Sequence, residues 1–152
     1  GPLVNINGEV IGINSLKLVE DKIEGMGFAI PIEYAMNYVD DLEKGKDLER
    51  PFIGISMLNV TDTYRLYQNG IMVDDDIESG VVIVSVSEDS AASKAGLKKG
   101  DVILSINGND VANAAYLKYE LYKSKAGDTI VINYIRDKKI DKATITLTKI
   151  NE

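Results

Sequence analysis

Residues 87–111, Ser-Glu-Asp-Ser-Ala-Ala-Ser-Lys-Ala-Gly-Leu-Lys-Lys-Gly-Asp-Val-Ile-Leu-Ser-Ile-Asn-Gly-Asn-Asp-Val, leave the chain little freedom in how it folds. Ser90 to Ala95 is a run of small residues that reads as a short helix. Gly96 stops it, because glycine tolerates the left-handed conformation that closes a helix. Gly100-Asp101 turns the chain. Val102 to Ile106 alternates apolar and less apolar residues, the pattern of a strand. Asn107-Gly108 then supplies a tight turn, a pair suited to positive φ at both central residues. Helix stop, turn, strand and Asn-Gly turn thus follow one another at fixed spacing.

The flanking segments are consistent with that centre. Arg50-Pro51-Phe52-Ile53-Gly54-Ile55-Ser56-Met57 leads into a strand. Gly54 permits a close backbone approach. Phe52, Ile53 and Ile55 equally suit the start of a buried strand. Thr61 to Tyr67 reads as a short helix with an Asp or Thr cap, ended by Asn69-Gly70. Asp74 to Glu78 is acidic but lacks the ligand spacing of a calcium loop, so it reads as a solvated turn. Gly80 to Val86 is a buried strand. Ala112 to Lys125 is amphipathic, with Ala114, Leu117 and Leu121 on one face and Asn113 as its cap. Tyr116, Tyr119 and Tyr122 suit either a groove rim or half-exposed cover over a core. Ile130–Ile135 and Ala143–Ile150 alternate around Arg136–Lys139 as a terminal hairpin.

Taken together, these residues resemble a PDZ domain. The resemblance implies a partly open β-barrel or sandwich with two helices over residues 47–152. It implies a carboxylate-binding loop at Phe52, Ile53 and Gly54, and an open strand at Ile55, Ser56 and Met57. The opposite wall would be the helix carrying Leu117 and Leu121, either of which could instead point wholly inward.

The first 46 residues carry a different pattern. Two short apolar strands flank Asn7-Gly8, a hairpin signal. Gly27-Phe28-Ala29-Ile30-Pro31 follows, and then a helix from Pro31 to Gly45 with Ile32, Ala35, Met36, Val39 and Leu42 at helical spacing. With Gly1-Pro2-Leu3-Val4-Asn5, this resembles the closing strands and C-terminal helix of the trypsin-like barrel of HtrA (DegP-like) serine proteases. That likeness implies a start two residues past the nucleophilic serine. It also implies a substrate-pairing strand at Ile13, Asn14 and Ser15, and a rearranging loop over Leu16 to Met26. Gly27, Phe28 and Ala29 would line the specificity pocket. Lys46 to Arg50 would be the linker between the two parts.

Composition narrows the function. The chain has 152 residues, no cysteine and no histidine. Disulfide and zinc-thiolate chemistry are thereby excluded, and a Ser-His-Asp triad cannot be completed within the chain. No metal or other cofactor is expected. A formal net charge of -7 argues against nucleic acid as a partner. No apolar run is long enough to span a bilayer. The HtrA resemblance implies a parent endopeptidase of protein quality control. That parent would be homo-oligomeric, anchored N-terminally and extracytoplasmic in the bacterial envelope. Its partners would be protein C-termini and misfolded polypeptides, bound through apolar C-terminal segments. Self-association of the chain is a further expectation. The alternative is a non-catalytic PDZ tethering module of another membrane-associated protein.

Overall fold

Asn5 sets the first hairpin. Its side-chain carbonyl accepts the Asn7 and Glu9 N–H groups at 2.9 and 3.0 Å, an Asx turn that diverts the backbone from a helical path. Gly8 supplies the positive φ, +79°, that the turn requires. The computed structural model describes residues 1–17, 27–45 and 50–149. The chain divides into two compact units, residues 1–48 and 49–152.

In the first unit β1 (Pro2–Val4), β2 (Val10–Lys17) and β3 (Gly27–Pro31) form an antiparallel sheet in that order. Pro2 faces Ile13 and Leu3 faces Gly12 on one edge of β2; Pro31 faces Gly12 and Ala29 faces Asn14 on the other. Helix α1 (Ile32–Glu43) follows at once. Pro31 sits at its cap with φ −55°, a value that proline fixes and a helix start accepts. The buried face of α1 is not the expected stripe. Ile32, Ala35 and Val39 are half-buried, but Met36 and Leu42 are exposed, and Tyr38 is the buried side chain. Its ring packs edge-on to Tyr34 at 5.3 Å. The helix thus settles with Tyr38 inward and Tyr34 half-buried beside it. The expected loop over Leu16 to Met26 lies outside the described residues from residue 18 onward, as do residues 46–49 of the expected linker.

The second unit contains β4 (Pro51–Phe52), β5 (Ile55–Asn59), α2 (Thr63–Gln68), β6 (Val81–Val86), α3 (Ala91–Lys94), β7 (Val102–Ile106), β8 (Asn109–Asp110), α4 (Ala114–Leu121), β9 (Thr129–Arg136), β10 (Lys139–Thr146) and β11 (Thr148–Lys149). Its main sheet runs β10-β9-β7-β6-β5 with β8 on β7, and β11 pairs with β4. The unit is mainly β, as expected, but the sheet is not closed into a barrel. All three segments read as helical form helices; the six-residue α2, read from Thr61 to Tyr67, is the one beyond the two that the PDZ resemblance implies.

Strand alternation divides the apolar side chains between two faces. Val81, Ile83, Ile103, Ile106, Ile130 and Ile132 enter a main core with Leu117 and Leu121 of α4. Val82, Val102 and Leu58 enter a second core with Leu66 and Ile71. The stretch from Ser87 to Val111 folds as its residues dictate. Ser90 Oγ caps α3 by accepting the Ser93 N–H at 3.1 Å, and Gly96 closes the helix at φ +81°. Asn107 and Gly108 take φ +50° and +83° in the tight turn. The terminal hairpin is longer than expected, with β10 starting at Lys139 rather than Ala143. Asp137 and Lys138 both adopt left-handed φ, 49° and 62°, and close a two-residue turn, so pairing begins at the next residue. Helix α4 is shorter than the expected span from Ala112 to Lys125. Asn113 is its cap, accepting the Tyr116 N–H at 2.9 Å.

Candidate functional site

Gly54 is where backbone geometry and packing meet. Its φ is +83°, and a Cβ there would collide with Ser90 Cβ and lie 2.7 Å from Ser90 Oγ. Only glycine fits both constraints. Its carbonyl accepts the Ser87 N–H at 2.8 Å, and the Ile53 carbonyl accepts the Ala92 N–H at 2.8 Å. The segment around α3, so conspicuous in sequence, is thus the buttress that holds the loop. On the other side Thr148 Oγ1 donates to the Phe52 carbonyl at 3.1 Å, and β11 pairs with β4.

With its carbonyls engaged, the loop leaves its donors available. Among the described residues no acceptor meets the N–H groups of Ile53 and Gly54. Ile55 pairs with Val86 next to the Gly54–Ser87 hydrogen bond. In an antiparallel ladder that makes Ile55–Val86 a non-bonded pair, so the N–H and C=O of Ile55 point away from β6. β5 ends the main sheet, leaving that side as an open edge. Consecutive N–H groups at a left-handed turn form an anion-binding concavity, and an open strand edge accepts another strand.

The side chains beside this edge are apolar. Ile53 is buried, Ile55 and Met57 are half-buried against the main core, and Ala114 of α4 packs there too. Ser56 faces solvent, and Phe52 is 36% exposed at the loop. Leu117 is wholly buried and Leu121 is buried, both within the main core. Leu117 therefore forms the floor beneath the edge and has no exposed surface of its own. Tyr116 is exposed, with Tyr119 at a ring distance of 5.9 Å. Lys123 lies 4.4 Å from the Tyr119 ring centre and 2.6 Å from Glu120 Oε1. The hydrogen bond to Glu120 raises the Lys123 pKa, against the opposing effect of burial.

The residues expected at a protease cleft lie in the other unit. Ile13 and Ser15 are exposed on β2, and Asn14 is exposed opposite half-buried Ala29. The Asn14 N–H donates to the Gly1 carbonyl at 2.9 Å. The backbones of Phe28 and Gly27 pair with Leu16 and Lys17, while the side chain of Phe28 is outside the described residues.

Sequence reasoning missed one buried pair. Asp101 is 1% exposed. Its two oxygens accept Arg136 Nε and Nη2 at 2.7 and 2.6 Å, and Nη2 also donates to the Gly96 carbonyl at 2.8 Å. Asp101 Oδ2 further accepts the Lys98 N–H at 2.7 Å. The hydrogen bond to Asp101 raises the Arg136 pKa, burial opposing. This fork pins the α3–β7 loop, and with it the buttress of Gly54, to the last hairpin. The available signal was the charged residue directly before a buried strand, which reads in sequence only as a turn.

The profile of the PDZ domain family matches residues 51–147. The chain is similar to the serine protease Do-like HtrB of Bacillus subtilis (strain 168). Identity is 40% over 155 residues, spanning 100% of this chain and 34% of that protein. It is also similar to a probable periplasmic serine endoprotease DegP-like of Marinomonas sp. (strain MWYL1), at 36% over 148 residues, or 97% of this chain and 30% of that protein. Among solved structures, the HtrA-type protease AlgW with decapeptide superposes with a TM-score of 0.69 at 24% identity, covering 100% of this chain and 46% of that one. The serine endoprotease from Yersinia pestis gives a TM-score of 0.60 at 28% identity, over 99% and 47%. The chain thus spans about a third of the length of the curated relatives it matches. Among the described residues no helix is long and apolar enough to cross a membrane.

Proposed function

This chain belongs to the PDZ domain family through residues 51–147 and is similar along its whole length to the C-terminal part of HtrA-type serine proteases; from that premise we propose that it captures the free C-terminus of a polypeptide as a strand added to β5. The observation that carries this reading is the Gly54 loop, whose unpaired N–H groups stand at the start of an open strand edge. A peptide carboxylate would take the N–H groups of Ile53, Gly54 and Ile55. The peptide backbone would pair along Ile55, Ser56 and Met57. Its last side chain would rest on the apolar surface of Ile53, Ile55 and Met57, over Leu117 and Leu121. The HtrA-type protease AlgW, to which this fold is similar, has been solved with a decapeptide.

Residues 1–46 we assign to the end of a trypsin-like catalytic domain, with Ile13, Asn14, Ser15, Gly27, Phe28 and Ala29 beside its substrate cleft. Similarity to HtrB over the whole chain supports that assignment. The parent is then an endopeptidase of protein quality control that holds misfolded chains through this groove. The periplasmic relative from Marinomonas supports an extracytoplasmic site of action. Alone, the chain acts as a tether for C-termini, because without histidine it cannot complete a Ser-His-Asp triad.

Titration calorimetry with a decapeptide ending in valine, as free acid and as amide, tests the reading. Strand addition with one filled apolar site gives an expected Kd on the order of micromolar, roughly 8 kcal/mol, for the acid. The amide should bind at least about tenfold more weakly, because the nest loses a charge-assisted anion contact. Equal affinity for the two forms would overturn carboxylate capture.

A further inference from the structure

Among the described residues, one hydrogen bond joins β5 to α4. The Ala114 N–H donates to Asn59 Oδ1 at 2.8 Å. Ala114 opens α4, so this N–H is one of the orphan donors of the first turn. The helix has its own cap in Asn113, which serves the Tyr116 N–H. Asn59 therefore caps α4 from outside, at the far end of β5 from Gly54. Its backbone is itself fixed: its N–H donates to Asp62 Oδ2 at 3.2 Å, and its carbonyl accepts the Asp62 N–H at 3.0 Å. Upstream of the helix the Ala112 carbonyl accepts the Gly80 N–H at 3.2 Å; the remaining attachment of α4 itself to this side is apolar packing, which is non-directional and allows sliding.

We infer that Asn59 is a positioning residue that sets the spacing between β5 and α4 and thereby the size of C-terminal side chain the groove accepts. The inference rests on the peptide-binding reading of that groove. A directional bond at one end of two elements fixes their separation there. Without it the helix start is held by packing and by the Gly80 N–H that donates to the Ala112 carbonyl two residues upstream, and it tilts outward about that point. A wider groove loses contact with a small terminal side chain and makes room for a large one. Asn59 would thus select among peptides without touching the terminal residue.

The test measures affinities of two free-acid decapeptides, ending in valine and in phenylalanine, for the full chain and three variants. Asn59→Ala removes the acceptor, Asn59→Asp retains one, and Asn113→Ala removes the helix's own cap while leaving the cross-link. Thermal melts report the folded fraction of each. For Asn59→Ala the valine-to-phenylalanine affinity ratio should fall about three- to tenfold, the scale of one lost hydrogen bond. Asn59→Asp should keep the wild-type ratio within about twofold, since a carboxylate accepts the same N–H and suits a helix N-terminus. Asn113→Ala should lower the melting temperature with the ratio unchanged. An unchanged ratio in Asn59→Ala, or an equal change in Asn113→Ala, overturns the inference while leaving peptide binding intact. If the wild-type chain binds neither peptide, the peptide reading fails and this inference with it.

Discussion

Gly54 and Tyr134 show how single residues fix separate properties of the fold. At Gly54 the left-handed φ and the contact with Ser90 act together. Gly54→Ala must strain the backbone and push away the residue that caps α3. The expected cost is about 1–3 kcal/mol of stability. Binding of the valine peptide should fall more than about tenfold, because the displaced N–H groups carry the carboxylate. Denaturant unfolding and calorimetry on the variant check both; wild-type affinity with an intact melt would refute the role given to the loop. Tyr134 is 4% exposed and its hydroxyl reaches Asp141 Oδ2 at 3.5 Å. Burial raises its pKa, with Arg136 lowering it in part. The folded state therefore holds the phenol neutral at a pH where the unfolded chain already ionises it. The associated stability is present below the ordinary tyrosine value of about 10 and is lost as pH rises through the higher folded value. Chemical melts between neutral and strongly alkaline pH should show this decline. Tyr134→Phe should make it shallower, and an unchanged slope would remove Tyr134 as its source.

At the scale of elements, legibility followed whether a pattern had one physical cause. The α3–β7 segment could be read because the glycine stop and the Asn-Gly turn each act locally, within a few residues. β10 was half-hidden, because Lys139, Asp141 and Lys142 are charged and exposed, and only the two left-handed residues before them show where pairing begins. On α4, helical spacing identified the apolar face but could not say how deep it lies. Leu117 has no exposed surface, so the side chain expected to meet a ligand belongs to the core. Its substitution is then a packing experiment. Leu117→Ala should cost about 2–5 kcal/mol, the range for a large-to-small change in a core, and Leu117→Arg should prevent cooperative folding. A urea transition shifted by less than about 1 kcal/mol in Leu117→Ala would mean the helix stands off the core. The Asp101–Arg136 fork could not be read at all, since its partners are 35 residues apart and neither carries a periodic signal.

For the molecule as a whole, the two units have unequal means of standing alone. Residues 49–152 bury two apolar clusters, one on each face of a sheet. The described residues of the first unit offer three strands and one helix, with Ile6, Val10, Ile11 and Ile13 exposed on the hairpin and Met36 and Leu42 on α1. β2 lies between β1 and β3, so the outer edges of those two strands have no further partner among the described residues. Apolar side chains beside open edges favour pairing with another chain. In a purified preparation the available partner is a second copy. Charge opposes this: residues 1–48 carry nine acidic and four basic side chains. Screening weakens that repulsion within a Debye length of about 10 Å at 0.1 M salt, whereas the apolar contribution persists. The full chain should therefore be dimeric or larger by light scattering, and more so as salt is added. A chain beginning at Leu48 should be monomeric and melt cooperatively. A full chain that stays monomeric across the salt series would refute self-association. Hydrogen exchange then reports what the first unit does instead. The amides of Gly12 and Ile13 are protected if the sheet persists alone, because β2 is paired on both edges there, and they exchange freely if it does not.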